Sequence, residues 1–246
     1  MNRLYNKILP ILIALLTIVP IYAVLLVLSL KDFSISNSTL SYLSKSFFLS
    51  LGLTFISFLM CWFILVILLA KVRQINPRIL NLFSLLLILT LFIGTIPKIM
   101  GYLGAFSNSG LLGILFKDTG LTYSFLGSSL ALFYVYSPFF FLPILTSINN
   151  DSNYQKSIQL FNASSWDTFN LNLKIHRNTI GFSSFLFFSL VFMDYTCTDL
   201  VGGGKYDAYG KALYRSAITF KEPLIAFFIG SLVLSILLVL FKIFRK

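Results

Sequence analysis

Six long apolar segments, separated by short polar ones, constrain this chain more than any other feature. A helix of about 20 predominantly apolar residues is long enough to cross the hydrocarbon core of a bilayer. Water does not reach the backbone there, so each segment must satisfy its own backbone groups as a helix. The pattern predicts an all-α, polytopic membrane protein with six transmembrane helices. The segments cover residues 8–30, 47–70, 79–100, 124–147, 179–198 and 224–244.

The composition agrees with this class and excludes a soluble globular domain. Hydrophobic residues make up 57% of the chain and charged residues 11%, whereas soluble domains carry about 25% charged residues. The net charge of +11 could suggest a nucleic-acid partner, but the basic residues are scattered between the apolar segments. They are interpreted as flanks that set the orientation of the membrane helices, and no nucleic-acid partner is expected.

The charges in the connecting segments predict that orientation. With the N-terminus in the cytoplasm, the cytoplasmic segments hold eleven basic and two acidic residues, against eight basic and six acidic residues on the other side. Basic residues accumulate on the cytoplasmic side of membrane proteins. We therefore expect both termini and the polar segment 148–177 in the cytoplasm, within a single membrane domain over residues 1–246.

The polar segment 148–177 has the pattern of two short amphipathic helices. Tyr154, Ile158 and Phe161 recur at spacings of four and three residues, which places them on one face of a first helix. Asn162 follows where this helix should end, because asparagine tolerates the left-handed conformation that closes a helix. The sequence therefore predicts a short helix and then a sharp turn.

A second helix is predicted directly after this turn. Ser164 is a candidate N-cap, and Asp167 stands three residues later in the acidic position of a capping box. Trp166, Phe169 and Leu173 form the apolar face of this helix. Trp166 is a natural anchor for a protein partner, although its side chain could equally lie against the membrane surface.

Residues 162–169, with the sequence NASSWDTF, resemble the G-A-S-P-W-x-T-F segment in the membrane-spanning subunits of bacterial ATP-binding-cassette importers. The cytoplasmic loop of that family has the form E-A-A-x-x-x-G. Lys156, Ser157 and Ile158 stand where Glu-Ala-Ala is usual, and Asn162 replaces the glycine. The helix–turn–helix pattern of the family loop is retained.

Three further segments resemble the same family, in the same order along the chain. NSGLL at 108–112 is similar to N-x-G-L-L, and YSPF at 136–139 is similar to Y-x-P-F. SLVFMDY at 189–195, followed by LVGGG at 200–204, resembles the S-L-x-D-F…L-x-G-G-G signature of the subgroup that imports iron(III), thiamine and polyamines. Together the resemblance covers roughly residues 80–215.

The resemblance implies a type I importer permease fold and transport by alternating access. In this family ATPase subunits bind and hydrolyse ATP, a second permease copy or a sister subunit completes the pathway, and an extracytoplasmic binding protein delivers the substrate. We therefore expect no cofactor in this chain, a location in the bacterial inner membrane, and a small cationic substrate such as iron(III), thiamine or a polyamine. The residues expected to couple to the ATPase are Tyr154, Ile158, Phe161, Asn162, Ala163, Ser164, Trp166, Phe169 and Leu173.

The sequence offers no constellation for catalysis or for metal binding. Cys61 and Cys197 lie in separate apolar segments without metal-ligand spacing. His176, the only histidine, is interpreted as a surface residue of the polar loop. GGGK at 202–205 is not a phosphate-binding loop, because Tyr206 stands where Ser or Thr is required, and it is interpreted as part of a flexible outer loop. An enzyme is the least favoured class of function.

Asp194 and Pro138 are the candidate pathway residues. An acidic group at membrane depth is costly and marks a functional site by default, so Asp194 either lines the path of a cation or lies solvated at the outer interface. Pro138 and Pro143 interrupt the hydrogen bonding of their helix, which is typical of pathway helices and of simple kinks. The alternative function is an ion- or proton-coupled secondary transporter, for which the sequence shows neither repeat symmetry nor several coupling residues.

Overall fold

The computed structural model describes residues 37–72, 75–106, 110, 112, 123–150 and 164–219. Within these ranges every regular element is a helix and no strand occurs. The predicted spans 8–30 and 224–244 lie outside the described residues, as do Tyr154, Ile158, Phe161, Asn162 and Ala163. The helices are α1 (Asn37–Lys71), α2 (Pro77–Phe92), α3 (Thr95–Phe106), α4 (Phe125–Asn150), α5 (Ser165–Ile175), α6 (Arg177–Met193), α7 (Thr196–Val201) and α8 (Tyr209–Thr219).

Two of these helices are long and apolar enough to cross a membrane. One covers Ser41–Lys71 within α1, and the other is α4, Phe125–Asn150. They confirm that apolar helices occupy the predicted segments 47–70 and 124–147. A third crossing is present if α2 and α3 together form one bent span. The described part of the chain is therefore that of an all-α membrane protein.

The predicted span 79–100 is divided into two helices. α2 begins after Asn76, whose side chain accepts the N–H of Arg78 at 3.0 Å, and it ends before Ile93, whose backbone is extended. α3 then leaves at an angle of 109°. Pro97 accounts for the break, because it has no N–H for the carbonyl of Ile93 and its ring would clash with that carbonyl in a continuous helix. The predicted segment is therefore helical, but it is not one continuous helix.

The predicted span 179–198 is divided in the same way. α6 ends at Met193, the backbone of Asp194 is extended, and α7 begins at Thr196. The carboxylate of Asp194 accepts the backbone N–H of Cys197 at 2.9 Å. A side-chain oxygen that accepts an N–H from a first turn favours the start of a new helix at that point. The predicted span therefore consists of two short helices joined at Asp194.

α4 continues through both of its prolines, Pro138 and Pro143. Pro138 cannot donate a hydrogen bond to the carbonyl of Tyr134, and the hydroxyl of Ser137 donates to that carbonyl instead, at 3.3 Å. Hydroxyl groups commonly satisfy the backbone groups that proline frees in membrane helices. α4 loses backbone hydrogen bonds at the two prolines, but it remains a single helix.

α1, α4 and α6 pack together and form most of the buried core. Ser57 of α1 donates its hydroxyl to the carbonyl of Ser129 in α4 at 2.8 Å, and Phe187 of α6 packs edge-on against Phe140 of α4. α1 and α4 run in the same direction, and α6 runs against both. We call the C-terminal ends of α1 and α4, together with α5, the α5 end. The N-terminal parts of α1 and α4, together with α3, α7 and α8, form the α7 end.

The segment after α7 is folded, so the prediction of a flexible outer loop was wrong over residues 202–219. Gly203 and Gly204 adopt left-handed backbone conformations, with φ of 60° and 72°, which glycine tolerates without steric cost. They turn the chain so that α8 packs against α1. The backbone N–H of Tyr209 donates to the buried hydroxyl of Ser50 at 2.6 Å. This contact fixes the start of α8 on the bundle.

A cluster of ionic side chains joins α7 to α8. The ammonium group of Lys211 is buried and contacts Asp199, and it lies 3.2 Å from Asp207. Arg215 pairs with the other oxygen of Asp207 at 3.0 Å. Burial alone would lower the pKa of Lys211, but the hydrogen bonds and charges of Asp199 and Asp207 outweigh it, so this pKa is raised above its ordinary value. The cluster therefore stabilises the α7 end as long as Lys211 is charged.

Candidate functional site

The carboxylate of Asp194 lies at the break between α6 and α7. One oxygen accepts the hydroxyl of Tyr136 at 2.7 Å, and the other accepts the backbone N–H of Cys197 at 2.9 Å. Only 8% of Asp194 is exposed. The carboxyl group is therefore held at both oxygens, by α4 on one side and by the start of α7 on the other.

The position of Tyr136 along α4 shows how deep this carboxylate lies. At about 1.5 Å per residue, Tyr136 is about 17 Å from the first residue of α4 and about 21 Å from the last. α4 is long enough to cross a membrane, so Asp194 lies near the middle of that length. An ionisable group near the middle of a membrane-spanning helix is costly and is most often functional.

Two segments that were noted separately in the sequence meet at this point. Tyr136 belongs to YSPF and Asp194 to SLVFMDY, and their side chains are joined directly. Pro138, the other predicted pathway residue, is buried two residues further along α4. Tyr136 was not predicted as a site residue. Its place in a motif two residues before Pro138 was the available signal, but nothing in the sequence paired it with Asp194.

The start of α5 agrees with the predicted N-cap. The hydroxyl of Ser164 accepts the backbone N–H of Asp167 at 3.2 Å and donates to the carboxylate of Asp167 at 2.6 Å. An acidic residue in the first turn also interacts favourably with the helix dipole. The prediction of a helix that begins immediately after Ser164 is confirmed.

The predicted apolar face of α5 is divided between the bundle and solvent. Phe169 is 8% exposed and belongs to the core, and Leu173 packs against that core. Trp166 stacks on Phe169, with ring centroids 5.2 Å apart, but 65% of it is exposed. Leu171 and Ile175 are also exposed, and sequence reasoning missed them. Their spacing of four residues was the signal, since it places two apolar side chains on one face.

His176 lies inside the protein, so its interpretation as a surface residue was wrong. It is 3% exposed and stands between α5 and α6. Its Nδ1 atom is 2.9 Å from the hydroxyl of Ser147 in α4. Cys61 and Cys197 are buried free thiols, and among the described residues no group of three or more His, Cys, Asp or Glu side chains could hold a metal.

Fold and site define a helical membrane protein that has a buried carboxylate at a helix break and a short capped helix at one end of its bundle. No protein-family model matches the chain, and no curated protein matches it either. Its function is therefore inferred from these two features and from the sequence motifs that contain them.

Proposed function

We propose that this chain is the permease subunit of an ATP-driven importer of the ATP-binding-cassette class, and that α5 is the helix on which the ATPase docks. The position of α5 carries this proposal. It is a short, capped helix at the end of the bundle, and it presents Trp166 to solvent. Exposed tryptophan is among the side chains that contribute most energy to protein interfaces.

The charges around α5 support a cytoplasmic location. Lys71, Arg78, Lys174 and Arg177 lie at the α5 end, where Asp167 is the only acidic residue among those that the structure describes. Basic residues accumulate on the cytoplasmic side of membrane proteins. An ATPase that uses cellular ATP would meet the chain on this side.

The proposed mechanism is alternating access in the bacterial inner membrane. ATP binds to and is hydrolysed by the ATPase subunits, and this chain holds no cofactor. The permease pairs with a second copy or with a sister subunit and has both termini in the cytoplasm. An extracytoplasmic binding protein delivers the substrate, which is small and cationic: iron(III), thiamine or a polyamine. Asp194 supports a cationic substrate, because a carboxylate at membrane depth stabilises positive charge.

A second candidate is an ion- or proton-coupled secondary transporter. The observation that favours it is the break at Asp194, since secondary transporters place their ion sites at discontinuous helices near the membrane midplane. In this case Asp194 and Tyr136, joined at 2.7 Å, would be the coupling pair, and α5 would have no ATPase partner.

Co-purification from membranes tests the first candidate against the second. The native chain should retain an ATPase, and Trp166→Ala should weaken its binding about 30-fold, because the loss of a central interface residue costs about 2 kcal/mol or more. Phe48→Ala is the matched control. Phe48 is exposed to a similar degree but lies in the N-terminal half of α1, away from α5. Mass spectrometry identifies the retained proteins.

The same experiment has an outcome that excludes the importer. If the native chain retains no ATPase, and liposomes containing it take up labelled spermidine, thiamine or iron(III) citrate without ATP, the secondary transporter replaces the importer. An Asp194→Asn substitution should then abolish that uptake.

A further inference from the structure

Two hydrogen bonds between buried side chains and the bundle hold the α5 segment in place. Asn172, 2% exposed, donates from Nδ2 to the carbonyl of Leu69 in α1 at 3.1 Å. His176 is joined to the hydroxyl of Ser147 in α4 at 2.9 Å. Both partners lie in the last turns of the two longest described helices. We call these two bonds the tethers.

The tether at Asn172 satisfies a group that α1 cannot satisfy itself. Leu69 lies two residues before the end of α1, and the last four carbonyls of a helix have no N–H partner within it. A buried carbonyl without a partner is costly, so this bond should persist when the helices move. A displacement of α5 would therefore be followed by the end of α1.

The tether at His176 acts at the joint between α5 and α6. α5 ends at Ile175 and α6 begins at Arg177, so His176 is the only residue between them. Its backbone N–H donates to Asn172 and its carbonyl accepts from Ile180. The backbone thus connects α5 to α6, and the side chain connects the same point to α4.

We propose that Asn172 and His176 are positioning residues that transmit a displacement of α5 to α1 and α4. With the direct connection to α6, all three core helices then respond to one short helix. This inference rests on the proposed function, because it takes the ATPase to be what displaces α5. The tethers themselves are a property of this chain and can be tested without the ATPase.

The first experiment uses the chain alone in lipid nanodiscs, with a nitroxide attached at Leu171→Cys. Leu171 is exposed and adjacent to Asn172. Asn172→Leu keeps the size of the side chain but removes the donor, and Ser147→Ala removes the partner of His176. Both should add a mobile component to the nitroxide spectrum, whereas Asn170→Ala on the same helix should not. Ser147→Thr keeps the hydroxyl and should restore the native spectrum. Spectra that do not differ between the tether variants and Asn170→Ala would overturn the proposal.

The second experiment tests transmission in the complex with the co-purified ATPase. A nitroxide is attached at Tyr195→Cys, exposed at the break between α6 and α7, and protein without this cysteine gives the background from the buried native thiols. ATP with vanadate should change the mobility that its spectrum reports. In Asn172→Leu and Ser147→Ala this change should fall to less than half while the ATPase stays bound, which loss of docking would not produce.

The remaining outcomes are separable. If the reporter responds equally in the tether variants and in the chain with native tethers, transmission through the tethers is overturned. The same conclusion follows if the reporter responds in neither. If no ATPase accompanies the chain, the proposed function fails. The nitroxide spectra alone then decide whether Asn172 and His176 hold α5 on the bundle.

Discussion

Replacing Tyr136 by phenylalanine removes one hydroxyl group from the interior and leaves the aromatic ring in place. That hydroxyl donates to the carboxylate of Asp194 at 2.7 Å. Asp194 is buried, and its other oxygen is occupied by the N–H of Cys197. In Tyr136→Phe a buried carboxyl group therefore loses its side-chain hydrogen-bond partner.

The size of the effect depends on whether the acceptor is charged. Neutral hydrogen bonds between membrane helices contribute about 0.6 kcal/mol on average, whereas bonds to a charged group contribute about 1.5–3 kcal/mol. The two cases bound the effect. Tyr136→Phe should lower the free energy of unfolding by about 0.6–3 kcal/mol, which is about a 3- to 150-fold change in the unfolding equilibrium constant.

Unfolding in mixed micelles of dodecyl maltoside and SDS, followed by far-UV circular dichroism, measures this change. Tyr134→Phe is the matched control, because Tyr134 lies two residues earlier on α4 and is exposed. It should change stability by less than about 0.5 kcal/mol. If Tyr136→Phe were no less stable than Tyr134→Phe, the buried bond between Tyr136 and Asp194 would not stabilise the bundle as described.

Two further predictions use the same unfolding assay at the α7 end. Lys211→Met should cost about 1–3 kcal/mol, between the values for exposed and buried ion pairs. The pKa of Lys211 is raised in the folded state, so its contribution to stability is complete below the ordinary lysine value of 10.5. This contribution is lost as pH rises through the raised pKa. Lys211→Met should therefore lose less stability at alkaline pH than the native chain does. Gly203→Ala should destabilise by about 1–3 kcal/mol, because its φ of 60° is left-handed and the added Cβ would lie 2.4 Å from a ring carbon of Tyr123. Gly181→Ala, in α6 where the new Cβ would meet no atom within 4 Å beyond the adjacent residues and backbone of its own helix, should be neutral or stabilise by up to about 1 kcal/mol.

The long helices were predictable because their signal is local. Segments 47–70 and 124–147 are continuous apolar runs, and burial of such runs as helices follows from the cost of unpaired backbone groups in lipid. The cap at Ser164 was predictable for the same reason, since the residues that form it lie within one turn. Local chemistry determined the outcome in each case.

The two helix breaks depended on information that apolar character does not carry. Pro97 marks one break in the sequence itself, but it leaves open whether the helix ends or bends, and the packing of α3 across the α7 end decides that. At the second break the bond from Cys197 to Asp194 is local, but the other partner of the carboxyl group, Tyr136, is 58 residues away. Until that partner is known, a carboxylate near the end of an apolar run fits a solvated position as well as a buried one.

The faces of α5 show why the docking residues were the hardest to predict. An amphipathic helix has one apolar face, and the sequence cannot tell whether the chain's own bundle or a partner covers it. Here the bundle covers Phe169 and Leu173, and the large apolar side chains that stay exposed on α5 are Trp166, Leu171 and Ile175. This accessible apolar surface is small. A partner that contacts only this surface can move α1 and α4 only if α5 is firmly joined to them. The burial of Asn172 and His176 therefore matters as much for transmission as the exposed residues do for docking.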